Sequence, residues 1–116
     1  MHGQMVPRFL ELMIFKPADL FLKDGDVLEC GGLNFEIIHT PGHTEGGICI
    51  KVEENLFTGD TLFYMSVGRT DLGRGSYEEL MNSLKKLLEM DENLNVYPGH
   101  GTATTIGYEK RNNPFV

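Results

Sequence analysis

A chain of 116 residues with 41% hydrophobic and 23% charged residues has the size and balance of one globular domain, residues 1–116. A formal net charge of −7 argues against nucleic acid and anionic membrane surfaces as partners, because both attract basic patches. No run approaches a membrane span and the opening residues lack a secretory pattern, so the expected location is cytoplasmic, with Cys30 and Cys49 read as buried thiols.

In chain order, RFLELMIF (8–15) is apolar and bracketed by Pro7 and Pro17, with no clear period. A strand starting at Val27–Cys30, a Gly31-Gly32 turn and the run LNFEIIHT predict a β-hairpin. Leu33, Phe35 and Ile37 share one face of the second strand; Asn34 and Glu36 share the other. GICIKVE alternates again, with Ile48, Ile50 and Val52 on one face. ENLFTGDTLF reads as a further hairpin passage turning at Glu54-Asn55, and MSVGRTDLGRGS as a long irregular segment.

Ser76 opens the clearest helix. SYEE is a capping box, and Leu80, Leu84, Leu87 and Leu88 recur at helical spacing as a core stripe. NLNVYPGHGT reads as a short strand entering a loop, and TTIGYEKRNN as a last short helix before Pro114. The fold class is therefore α/β (α+β), with a mixed or largely antiparallel sheet, one long helix and a short C-terminal helix.

Three residues share one local setting. His43 in TPGHT and His100 in YPGHG each follow Pro-Gly after a strand-like run, and Asp60 in LFTGDTLF follows a strand and a glycine. Glycine and proline in this frame project the next side chain from the end of a sheet. Two imidazoles and a carboxylate on three such loops can form a metal cluster. Taken singly, each is better read as a solvated histidine or a turn carboxylate. The repeated Pro-Gly-His frame puts the metal reading ahead.

HTPGHTEGG, LFTGDTLF, GRTDL and VYPGHGTATTIGYEKRNNPF resemble the metallo-β-lactamase superfamily, in its hydroxyacylglutathione hydrolase (glyoxalase II)-like branch, from about Phe21 to Phe115. The resemblance implies an αββα sandwich of two similar halves with two metal ions at one edge. These are usually zinc, sometimes iron or manganese. By position, His43 resembles a ligand of the first metal, His100 a ligand of the second, and Asp60 the carboxylate that bridges them, the one residue given a catalytic role. The implied reaction is hydrolysis of a thioester or related carbonyl by metal-bound hydroxide.

The family's H-x-H-x-D-H motif is missing: His2 is the only histidine before His39. The chain thus resembles the C-terminal half of that domain. Each metal would keep one histidine and a share of Asp60, against three protein ligands at a typical catalytic zinc. Three outcomes are open: weak or no metal in an inactive chain, a single ion held by all three residues, or a partner that completes the site. The partner would be a second copy in a homodimer or a missing N-terminal half, covering an apolar sheet face. Leu33, Phe35, Ile37, Ile48, Ile50 and Val52 are candidates for that face or for a helix-covered one. The alternative to a hydrolase is a non-catalytic truncated half that folds and self-associates. Arg69 and Asp71 read as a loop-fixing pair, or less readily as an anion site; Tyr64 and Tyr77 as packing residues; and His39 as structural.

Overall fold

Glycines at the first turn start the sheet. The computed structural model describes residues 23–71 and 75–116; His2 and the apolar run 8–15 lie outside them. Strands β1 (Val27–Cys30) and β2 (Leu33–His39) pair antiparallel through Gly31 and Gly32, whose φ of 60° and 83° are open to glycine and strained for other residues. Strand β3 (Ile48–Val52) returns along β2, and β4 (Asn55–Gly59) along β3. Val52 faces Asn55 in register, so the turn falls on Glu53-Glu54, one residue earlier than the sequence suggested. Glu53 takes φ 54°, which places the left-handed residue in the turn and leaves Asn55 free to pair.

A small hairpin follows, β5 (Leu62–Phe63) with β6 (Ser66–Val67), the second strand lying in what the sequence presented as irregular chain. Helix α1 (Tyr77–Leu88) begins at Ser76, whose Oγ accepts from the Glu79 amide at 3.3 Å, half of the capping box. Glu78 and Glu79 in its first turn and Lys85 and Lys86 in its last complement the helix dipole. Strand β7 (Asn95–Pro98) joins β4 in parallel, β8 (Thr104–Thr105) closes the edge, and helix α2 (Ile106–Asn112) ends the order, capped by Thr105. The six-stranded sheet runs β1-β2-β3-β4-β7-β8, mixed because β4–β7 is its one parallel pair.

The sheet has two unlike faces. Ile38, Cys49, Leu56 and Val96 pack with Leu80, Leu84, Leu87 and Ile106 of the helices into the main core. Removing one such leucine side chain costs about 2–5 kcal/mol. Phe35, Ile37, Ile50 and Val52 form a second cluster, flanked by Leu28, Ile48 and Phe57, to which neither described helix contributes. The alternating residues of β2 and β3 therefore lie away from the helices, which settles a point the alternation alone left open. Leu33, at the strand's start, is exposed. An α+β half with helices on one sheet face is the arrangement expected. Cys49 is buried but Cys30 is exposed, contrary to expectation, because it sits at the tip of the first hairpin; both are free.

Candidate metal centre

Three connections deliver His43, Asp60 and His100 to one end of the sheet. His43 lies in the loop between β2 and β3, which is closed at its base by Thr40 N donating to Gly47 O at 2.8 Å. Gly42, with φ 144°, presses against the first turn of α1: a Cβ there would collide with the backbone of Leu80, and its carbonyl accepts from Ser76 N at 2.6 Å. Gly42 is thus required by the helix beneath it, and His43 follows directly from that close approach.

Asp60 leaves β4 just past an irregularity in its pairing with β7, between Phe57 and Gly59. Such a break re-aims the chain at a strand end. Gly99 N donates to Gly59 O at 2.8 Å, so the residues that follow, His100 and Asp60, emerge together. Beneath them Thr40 Oγ1 lies 3.3 Å from both Thr61 Oγ1 and Cys49 Sγ, a buried polar knot that ties two of the loops to the core. Burial pushes the Cys49 thiol up to about 11, which keeps it protonated and unsuited as a ligand.

The geometry around Asp60 divides its carboxylate. His43 Nε2 lies 3.8 Å from Oδ2, and His100 Nε2 lies 4.0 Å from Oδ1. Both gaps are too long for hydrogen bonds. Both are short enough for an ion with bonds of about 2.0–2.2 Å to nitrogen and oxygen to sit between each pair. His43 Nδ1 is 2.8 Å from the carbonyl of Arg69, which can only accept; Nδ1 therefore carries a proton, and Nε2 is the ring nitrogen turned towards Asp60. His100 is 78% exposed and stacks on Phe63 with ring centroids 4.7 Å apart.

The donor types and spacing fit two ions, with one imidazole and one carboxylate oxygen each. The donor number does not: among the described residues no group of three or more histidine, cysteine, aspartate or glutamate side chains is placed to hold an ion. The single-ion arrangement is not what the chain offers either, because the two imidazoles face opposite oxygens of Asp60.

Other sequence candidates fall outside this cluster. Arg69 and Asp71 form a two-pronged pair, 3.0 Å at each contact, and both side chains are mostly exposed. Asp71 lowers its carboxyl pKa chiefly by accepting from Arg69. Tyr64 stacks on Tyr108 at 5.5 Å, and Tyr77 is largely exposed. His39 is structural: its amide donates to Asp24 at 2.7 Å and its carbonyl accepts from Lys86 at 2.7 Å. That amide is the main cause of the lowered Asp24 pKa, with Lys86 adding to it. The Arg69 carbonyl and the Phe63 ring were not found from sequence, since neither a backbone acceptor nor a stacking partner leaves a local signal.

Among the described residues no helix is long and apolar enough to cross a membrane. Comparison with known proteins matches residues 2–100 to the metallo-beta-lactamase superfamily. The chain is 49% identical over 105 residues to the hydroxyacylglutathione hydrolase GloC of Haemophilus influenzae, covering 88% of this chain and 50% of that protein. It is 38% identical to the probable metallo-hydrolase YqgX of Bacillus subtilis, covering 100% and 56%. Among solved structures, ETHE1 from Myxococcus xanthus superposes with a TM-score of 0.78 at 39% identity, covering 80% of this chain and 44% of that one. TTHA1623 in a di-iron-bound form gives 0.74 at 40% identity, covering 82% and 47%. The chain spans about half the length of the curated relatives it matches.

Proposed function

Because this chain belongs to the metallo-beta-lactamase superfamily, we propose that it carries half of a two-metal hydrolase centre held by His43, Asp60 and His100, acting on thioesters of the hydroxyacylglutathione kind. The observation that carries the reading is the division of Asp60, one oxygen towards each imidazole. When bound, divalent ions supply Lewis acidity for a carbonyl and acidify water enough for attack near neutral pH. Zinc suits two imidazoles and a carboxylate, and the di-iron form of TTHA1623 supports iron as the alternative.

This chain's own residues do the following. His43 presents Nε2 in a fixed tautomer, set by the Arg69 carbonyl. Asp60 would supply one carboxylate oxygen to each position and the negative charge that both ions need. His100 closes the second position from the β7–β8 loop. The remaining donors come from an N-terminal half of the same fold, or from a second copy of this chain.

A second reading is a non-catalytic half that folds and self-associates. It is favoured by the want of a three-ligand group among the described residues. Elemental mass spectrometry on protein purified without chelators or added metal separates the two. Near-stoichiometric zinc, iron or manganese supports the hydrolase reading and justifies thioester assays. Metal far below one per chain favours the silent half. A monodisperse monomer by light scattering at high concentration counts against the second-copy arrangement.

A further inference from the structure

Helix α2 places a glutamate where its amphipathic pattern calls for an apolar residue. Glu109 lies one turn after the core residue Ile106 and is fully buried. A buried carboxylate is costly unless its oxygens are satisfied. Here three neutral donors satisfy it: Met65 N at 2.9 Å and Asn113 Nδ2 at 2.9 Å on Oε1, and Thr104 Oγ1 at 2.7 Å on Oε2.

The two oxygens reach two different supports of one residue. Through Oε2 the side chain grips Thr104, in the strand that ends the His100 loop. Through Oε1 it grips the tip of the β5–β6 hairpin, at Met65, whose φ of 57° is strained for a residue with a side chain. Asn113 reinforces the tip by also donating to Ser66 O at 3.1 Å. That hairpin carries Phe63, the ring on which the exposed His100 imidazole stacks. We propose that Glu109 is a positioning residue for His100, fixing at once the strand that ends its loop and the aromatic surface its ring leans on. The role of His100 in binding metal rests on the reading above; the clamp itself does not.

The test is proton NMR of the metal-free chain, following the His100 ring signal that Phe63 stacking shifts upfield, with Phe63→Leu as reference for the unstacked position. Glu109→Ala is expected to move the signal towards that reference. Glu109→Gln is expected to leave it in place, because the amide keeps an oxygen for Met65 and Asn113 and turns its NH2 to the Thr104 hydroxyl, which can accept. Thr104→Val, which removes one prong only, is expected to give an intermediate shift. Far-UV circular dichroism checks that each variant is folded. An unmoved signal in folded Glu109→Ala and Thr104→Val overturns the proposal, as does a Gln variant that moves as far as Ala. If Glu109→Ala does not fold, Thr104→Val decides by the same criterion. Zinc titration of the same samples keeps the two readings apart: a His100 signal that responds as expected in a chain that binds no zinc upholds the clamp and counts against a metal centre in this chain alone.

Discussion

The amide of Gly99 donates to the carbonyl of Gly59 at 2.8 Å, and this bond puts the residues that follow each, His100 and Asp60, at one end of the sheet. Two residues 40 positions apart thereby become a pair, with His100 Nε2 4.0 Å from Asp60 Oδ1. The placement comes from backbone pairing, so the side chains can be exchanged without moving the frame.

That frame makes ligand substitutions informative. His43→Ala, Asp60→Asn and His100→Ala should each weaken zinc binding by more than the roughly 10–100-fold typical of losing an outer-shell partner. Asp60→Asn should be the most severe, because it removes the charge shared by both positions. Zinc titration with a chromophoric competitor checks the order, and unchanged metal content in His43→Ala would sink the assignment.

Gly68 sits between two of these residues. A Cβ there would strike the carbonyl of Asp60 and come within 3.3 Å of His43 Cβ. Gly68→Ala should therefore destabilise by about 1–3 kcal/mol, as overpacking does. It should also weaken metal binding although no ligand is altered. Thermal melts and zinc titration, run together, check both effects.

The Cys49 thiol offers a pH prediction. The folded chain holds this proton up to about 11, against an ordinary value of 9.0. The unfolded chain releases it first, so stability should fall as pH rises from about 9 to 11, by at most about 1.4 kcal/mol per pH unit. At pH 8 a thiol reagent should label Cys30 quickly and Cys49 only on unfolding, and Cys30→Ser should abolish native labelling.

Ser76→Ala removes the cap of α1 and should cost about 1 kcal/mol. Fraying of the first turn should also loosen the His43 loop, although the Ser76 amide itself still donates to the carbonyl of Gly42. Denaturant melts give the first effect, and amide hydrogen exchange in residues 40–47 the second.

Much of this was legible in the chain itself. Alternation in 33–39 and 48–52 marked the strands, the Ser76–Glu79 box marked the helix start, and two Pro-Gly-His frames pointed to the site. What escaped depends on contacts distant in sequence. The β3–β4 turn was misplaced by one residue because cross-strand pairing of Val52 with Asn55, not local turn preference, sets it. Glu109 carries no local signal in the sequence, because its donors Met65 and Thr104 belong to other elements. The sheet face left without a described helix could not be chosen from alternation, which gives the same period on both faces.

The parallel pairing of β4 with β7 also sets the order in which the candidate centre assembles during folding. β2, β3 and β4 follow one another in sequence, joined by the eight-residue His43 loop and a two-residue turn, so their pairings close early and bring in His43 and Asp60. Asn55 meets Asn95 only after α1 has been threaded between them, and closing so long a loop carries the larger entropic barrier. His100 is then the last of the three to arrive. A refolding chain should pass through a stage in which the hairpins are formed and the second imidazole is still free, and a metal ion added at that stage would find only His43 and Asp60 in place.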